Sequence, residues 1–87
     1  MKYIFHSDSG HGWLAVKRDE LINLNIINNI TTCSYQKGNT VYLEEDCDAS
    51  LFIKLKTELG QEISFRESFQ NRSPIRSYKN FCKTTCN

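Results

Sequence analysis

The polar residues near the start of the chain include every side-chain type of a hydrolytic triad. One short stretch contains His6, Ser7, Asp8 and His11. In a catalytic triad these groups normally come from distant parts of the chain and act beside an oxyanion hole. We therefore interpret the stretch as a hydrogen-bonded turn, and no catalytic residue is predicted. A minimal hydrolase around His6, Asp8 and His11 is kept as the second alternative.

A run of carboxylates in the middle of the chain could bind a cation or a basic partner. The run consists of Glu44, Glu45, Asp46 and Asp48, which surround Cys47. It lacks the central glycine and the alternating ligands of a calcium loop, so a calcium site is not expected. A helix start explains part of the charge, because carboxylates cap the first turn and interact with the helix dipole. The surplus charge predicts a partner-binding acidic edge.

Four cysteines could bind zinc or form disulfides. They are Cys33, Cys47, Cys82 and Cys86. Paired CxxC motifs, the strong zinc signal, are missing, so no metal or other cofactor is predicted. We find no apolar signal-peptide segment and nothing near the roughly 20 apolar residues of a membrane span. A cytoplasmic location and four reduced thiols are therefore expected.

The charges are distributed unevenly along a chain whose net charge is only +1. Residues 1–65 carry six Lys and Arg against nine Asp and Glu, whereas residues 66–87 carry five against one. The basic segment also contains aromatic residues, a pattern typical of a surface that binds phosphate or an acidic protein face. A nucleic-acid-binding module using this segment is the first alternative function. The candidate binding residues in it are Arg72, Arg76, Tyr78 and Lys79.

Alternating apolar residues and turn signals predict the elements that must position these side chains. Strands are expected at residues 2–6, 13–16, 30–35, 40–44 and 63–69, with a short helix after Lys17. Gly38-Asn39 supplies the positive φ angles of a tight hairpin turn. Trp13 is interpreted as a core anchor rather than as a stacking platform. The apolar residues expected to dock the C-terminal segment are Ile75, Tyr78 and Phe81.

The strongest predicted element is a helix over residues 48–59. Leu51, Leu55 and Leu59 recur at helical spacing, and Phe52 widens the apolar stripe. Asp46 or Asp48 is expected to cap its start, and Gly60 suits its C-terminal end. The sequence therefore predicts one α+β domain over residues 1–87. It would contain two helices and a small antiparallel sheet of four or five strands, with the 48–59 helix packed on one face.

The order of several motifs resembles a family of small, mostly uncharacterised proteins encoded by bacteriophages, prophages and plasmids. The motifs are Gly10–Val16, Ser34-Tyr35 with Gly38, Leu43–Ala49 and Pro74–Tyr78, and they extend over nearly the whole chain. The resemblance implies a genomic context and no catalytic residues. It also implies that Glu44–Asp48 and Ile75–Tyr78 meet in the fold or on one binding face.

The leading hypothesis is a non-enzymatic accessory protein of a phage or mobile element that binds a host protein in the bacterial cytoplasm. Inhibition of a defence system, of the anti-CRISPR or anti-restriction type, is one version of it. The nucleic-acid-binding and hydrolase alternatives stay open. The predicted partner-binding residues are Glu44, Glu45, Asp46, Asp48, Arg72, Arg76, Tyr78 and Lys79.

Overall fold

The computed structural model describes residues 2–82. Within them, six strands form one mixed sheet in the order β5-β1-β2-β4-β3-β6. The strands are β1 (Lys2–Ser7), β2 (Gly12–Lys17), β3 (Tyr35–Lys37), β4 (Thr40–Glu44), β5 (Ser64–Phe69) and β6 (Lys79–Asn80). The helices are α1 (Arg18–Asn23) and α2 (Ala49–Glu58), with 3-10 turns at Ile27–Asn29 and Pro74–Ser77. The predicted α+β class is confirmed.

The predicted number and direction of the strands need correction, because the sheet has six strands and is not wholly antiparallel. β1 pairs antiparallel with β2, β2 with β4, and β4 with β3. β5 instead pairs parallel with β1. Helix α2 between β4 and β5 explains the difference, because a helical crossover returns the chain to the end where the previous strand began. The two-residue β6, which pairs with β3, was not predicted.

The hydrophobic core lies between one face of the sheet and the helices. Leu14 and Leu43 from neighbouring central strands are fully buried and lie directly opposite each other in the register. Phe52 of α2 is also fully buried, and its ring meets the edge of Tyr3 with 5.4 Å between centroids. The strands contribute alternate residues to this face, as a half-buried sheet requires. Leu21 of α1 joins the same cluster.

Helix α2 packs on the sheet as predicted, but through a different stripe. Phe52 is buried, and Leu51 and Leu55 pack against the core while partly exposed. Leu59 is 59% exposed, so its predicted place in the core is wrong. Lys56 takes the buried position one turn after Phe52 and pairs with Glu20 of α1 at 2.8 Å. The leucine spacing alone could not show which of two adjacent stripes faces the sheet.

The two ends of α2 follow the sequence signals unequally. Gly60 has φ of 75° and donates to the Thr57 carbonyl at 3.0 Å, so the predicted glycine C-terminal end is confirmed. Asp48 stands at the N-cap position, but its side chain makes no capping hydrogen bond to the helix. The predicted side-chain cap is therefore wrong. Three donors in the loop before β3 engage that carboxylate instead.

The segment between β5 and β6 must cross the molecule, because these strands form opposite edges of the sheet. Ile75 in this segment is 2% exposed, and Phe81 just beyond β6 is 4% exposed. Tyr78 is half-buried and packs on Tyr42 with ring centroids 5.3 Å apart. The predicted docking of these three residues is confirmed. The segment lies over the sheet face that points away from α2.

Cysteine chemistry differs from the expectation. Cys33 and Cys47 are free thiols, whereas Cys82 is disulfide-bonded. The expectation of four free thiols is therefore wrong, because it rested on an inferred compartment rather than on the positions of the sulfur atoms. Cys86 lies outside the described residues. Across residues 2–82, the side chains form no group of three or more His, Cys, Asp and Glu that could hold a metal ion.

The helices of the described segment are short. None of those in residues 2–82 has the length and apolar character needed to cross a lipid bilayer.

Candidate functional site

Asp8 organises the turn between β1 and β2. Its side chain is 1% exposed and pairs with Arg76 through both oxygens, with Nε at 2.5 Å from Oδ2 and Nη2 at 2.9 Å from Oδ1. The backbone N–H groups of Gly10 and His11 also donate to Oδ1, at 3.0 and 2.9 Å. The Arg76 guanidinium, helped by these N–H groups, holds the pKa of Asp8 well below its usual range. Asp8 is thus a buried anion whose two oxygens are already occupied.

The three residues of the hydrolase alternative occupy different environments. His11 reaches Asp8 through its backbone, while its ring faces Glu44 and Trp13. His6 lies on β1, where its ring packs against Tyr42 at 5.8 Å. Burial, with a contribution from Arg66, lowers the pKa of His6. In the described part of the chain these three side chains have separate partners: Arg76 for Asp8, Tyr42 for His6, and Glu44 and Trp13 for His11.

Trp13 lies beneath the Arg76 guanidinium on the sheet face that points away from α2. The guanidinium carbon Cζ of Arg76 is 5.9 Å from the centre of the Trp13 ring system, within the range of a cation–π contact. The His11 and Tyr35 rings flank it at 5.9 and 6.3 Å. Trp13 is 2% exposed, so its prediction as a buried anchor is confirmed. Its indole Nε1 is buried without a hydrogen-bond partner in the described part of the chain.

Glu44 presents a fixed carboxylate at the end of β4. Its side chain is 11% exposed, and Oε1 lies 3.7 Å from His11 Nδ1. Its other oxygen, Oε2, accepts from the Asp46 backbone N–H at 2.9 Å. Because the turn itself holds this side chain, the carboxylate is oriented before any ligand arrives.

Of the other three acidic residues, one is buried and two are exposed. Asp48 is 2% exposed, and its Oδ2 accepts from the backbone and side chain of Thr31 and from the Ser34 hydroxyl. It therefore ties the loop before β3 to the start of α2. Glu45 and Asp46 are exposed. Only these two of the four predicted acidic residues offer carboxylates freely to solvent.

These side chains surround one open cleft, which we call the acidic cleft. Its volume is about 400 Å³. The acidic run and Arg76 meet here, as expected from the sequence, although Arg76 pairs with Asp8 rather than with the run. That pairing neutralises Arg76, so the carboxylates of Glu44 and Asp46 dominate the charge of the lining. The lining residues are His11, Trp13, Cys33, Tyr35, Glu44, Asp46, Cys47 and Arg76.

The remaining predicted basic and aromatic residues do not line the cleft. Arg72 is exposed in the loop before the Pro74–Ser77 turn, and Lys79 is exposed on edge strand β6. Tyr78 is half-buried, and Lys37 lies over its ring at 4.9 Å. Of the basic segment's predicted residues, only Arg76 lines the acidic cleft.

Five lining residues were not among the predicted binding residues. His11 was considered only for the hydrolase alternative. Trp13 was assigned only to the core, and Tyr35, Cys33 and Cys47 were given no binding role. A usable signal existed for Tyr35, because strand alternation and hairpin register put it opposite Tyr42, away from the core. The two cysteines gave no such signal, since each lies in a loop whose path the sequence leaves open.

Comparison with known proteins adds no family to this description. The sequence matches no family model, no curated protein and no solved structure. The resemblance drawn from its motifs therefore rests on those motifs alone.

Proposed function

We propose that the protein is a non-enzymatic binding module whose acidic cleft receives a cationic side chain of a partner protein. One observation carries the proposal. The carboxylates of Glu44 and Asp46 share the cleft with the rings of Trp13 and Tyr35, while the lining cation Arg76 is already paired with Asp8. A Lys or Arg side chain that enters the cleft would meet the exposed Asp46 carboxylate and the half-buried ring of Tyr35 together.

The chemistry favours such a ligand for two reasons. Hydrogen bonds between a cation and a carboxylate are stronger than neutral ones, and a cation is also attracted to the face of an aromatic ring. In addition, the site is preorganised, since the Asp46 backbone holds Glu44 and two hydrogen bonds hold Arg76. Binding to a preformed site costs less side-chain entropy.

Exposed charges outside the cleft suit a protein partner rather than a free metabolite. Glu45, Arg72 and Lys79 are exposed and do not line the cleft, so charges of both signs are available outside it. Such a mixed surface favours specific orientation and faster association of a charged partner. With the resemblance described above, the partner would be a protein of the bacterial host. Inhibition of a defence system would be one consequence of that binding.

The first test uses the single tryptophan of the chain as its reporter, because Trp13 lines the cleft. A short Lys-containing peptide is titrated into the protein while Trp13 fluorescence is recorded. We expect a saturable change, and Asp46→Asn should weaken the affinity by about 3- to 10-fold, the cost of losing one partly exposed charge pair. Asp19→Asn is the matched control, because Asp19 is exposed on α1 and does not line the cleft. Equal weakening by both variants would reject the site.

A second candidate function is supported by a row of rings beside the cleft. His6, Tyr42 and Tyr78 follow one another at 5.8 and 5.3 Å, and Lys37 lies over the last ring. Proteins bind single-stranded nucleic acid by stacking its bases on aromatic rings and by pairing its phosphates with nearby cations. Anisotropy of a labelled oligonucleotide tests this function. Lys37→Glu should weaken binding and reduce its salt dependence, whereas Lys54→Glu on α2 should not.

A further inference from the structure

Two free thiols meet at the rim of the acidic cleft. Cys33 lies in the loop before β3, and Cys47 lies in the turn before α2. Both are exposed, and both line the cleft. Both residues line the same cleft although 14 positions separate them in the sequence, and a hydrogen bond from Cys33 contributes to the raised pKa of Cys47.

The backbone on either side of each thiol is fixed by buried hydrogen bonds. Asp48 Oδ2, one residue after Cys47, accepts from the Thr31 backbone at 3.0 Å and from the Ser34 hydroxyl at 2.5 Å. The Ser34 hydroxyl oxygen in turn accepts from the Glu44 backbone N–H at 3.1 Å. The two loops are therefore tied together on both sides of the thiol pair.

We propose that Cys33 and Cys47 form a dithiol modification site, which a small-molecule disulfide converts into an intramolecular disulfide. The Cys33 thiolate attacks one sulfur of that reagent, its S–S bond breaks, and one thiolate leaves. Cys47 loses its proton to water and attacks the Cys33 sulfur of the mixed disulfide, releasing the second thiolate. The two protein thiols are oxidised, and the reagent is reduced to two thiols.

The protonation state of Cys47 sets the pace of this exchange. The hydrogen bond with Cys33, then burial and Glu44, raises the pKa of Cys47 to about 12. Cys47 therefore stays protonated near neutral pH, and its attack as a thiolate becomes faster as the pH rises. The other titratable or charged residues of the cleft lining are His11, Tyr35, Glu44, Asp46 and Arg76.

The disulfide would regulate binding of a cation at the acidic cleft, and this inference rests on the proposed function. The disulfide would remove the thiol that interacts with Glu44 and would fix the two loops at the cleft rim. Glu44 would then be freer to meet a cation, so the oxidised form should bind the Lys-containing peptide more tightly. Formation of the disulfide itself needs no partner and can be tested separately.

The experiment incubates the protein with oxidised glutathione at pH 8 and maps the joined sulfur atoms by peptide mass spectrometry. We expect a Cys33–Cys47 crosslink as the main product, reversed by reduced glutathione. Cys33→Ser and Cys47→Ser should each give a single glutathione adduct at the remaining thiol instead. Two separate adducts on the parent protein, or two thiols that still react with an alkylating reagent at equilibrium, would overturn the proposal.

A second measurement separates this proposal from the function of the cleft. The peptide affinity is measured for the reduced and the crosslinked protein. A crosslink without any peptide binding would reject the proposed function and leave the modification site standing. Peptide binding without a crosslink would reject the modification site alone.

Discussion

Arg76 and Asp8 are joined by two hydrogen bonds although 68 positions separate them in the sequence. The pair fastens the segment that crosses from β5 to β6 onto the turn between β1 and β2. It also holds the guanidinium over Trp13, so one ion pair shapes both the crossing segment and the lining of the acidic cleft.

Removing the charge of Asp8 should destabilise the protein. Asp8→Asn leaves the Arg76 guanidinium without its anion. The amide oxygen of Asn can accept one of the two hydrogen bonds from Arg76, but its NH2 group cannot accept the other. We expect the melting temperature to fall by several degrees, because a hydrogen-bonded charge loses its partner. Arg76→Lys should give an intermediate fall, since an ammonium group lacks the planar fork that pairs with two oxygens. Thermal unfolding followed by circular dichroism measures both melting temperatures. An Asp8→Asn variant that melts like the parent would contradict a stabilising role for the Asp8–Arg76 pair.

Acid should weaken the fold in two separate pH ranges. The pKa of His6 is below its ordinary value of 6.5 in the folded protein, so the unfolded chain takes up the proton first and stability falls as the pH drops below about 6.5. The pKa of Asp8 is also lowered, so its stabilising effect is complete above the ordinary value of 3.8 and is lost as the pH falls below it.

Urea unfolding at a series of pH values separates these two contributions. His6→Gln should flatten the decline between about pH 7 and 5 and leave the one below pH 4. Asp8→Asn should show the reverse pattern. A His6→Gln curve parallel to the parent curve through the upper range would contradict the lowered pKa of His6.

The core of α2 can be tested by comparing two of its apolar residues. Phe52→Ala should cost about 3–5 kcal/mol of unfolding free energy, because its side chain is fully buried against Tyr3. Leu59→Ala should cost less than about 0.5 kcal/mol, because Leu59 is 59% exposed. Leu55→Ala should fall between them, since Leu55 is partly buried. Chemical denaturation measures all three, and a larger cost for Leu59 than for Phe52 would mean that the helix faces the sheet through its other stripe.

Local signals predicted most elements of the fold, but the strand expected at residues 30–35 instead begins at Tyr35 and ends at Lys37. The signals for the position of α2, for the glycine at its end and for the Gly38 turn each lie within a few residues, and the structure confirms these three predictions. The direction of β5 and the pairing of β6 depend on where distant segments meet, and no local pattern carries that information. Leu59 was misplaced because the leucine spacing does not show which of two adjacent stripes of α2 faces the sheet.

The sequence predicted that the acidic run and the Arg76 segment share a site, but only Glu44, Asp46 and Arg76 of the predicted binding residues line the cleft. The acidic run and the Arg76 segment were expected to meet, and they do so at the acidic cleft. The sequence could not show that Asp8 rather than the acidic run takes Arg76. Nor could it show that Asp48 turns inward to Thr31 and Ser34. Both outcomes depend on loops folding over one another, which places buried charges beside the donors that satisfy them.

Recognition of a cation by the acidic cleft is the central claim, and two peptides that differ only at one lysine test it most directly. One peptide carries a free lysine, and the other carries acetyl-lysine, which keeps the length of the side chain and removes its charge. Both are titrated into the protein while the single indole N–H resonance, that of Trp13, is followed by NMR. We expect the lysine peptide to shift this resonance and to bind at least about 10-fold more tightly than its acetylated form, with the difference reduced in Asp46→Asn. Equal binding of the two peptides, or binding that leaves the Trp13 resonance unchanged, would contradict the claim.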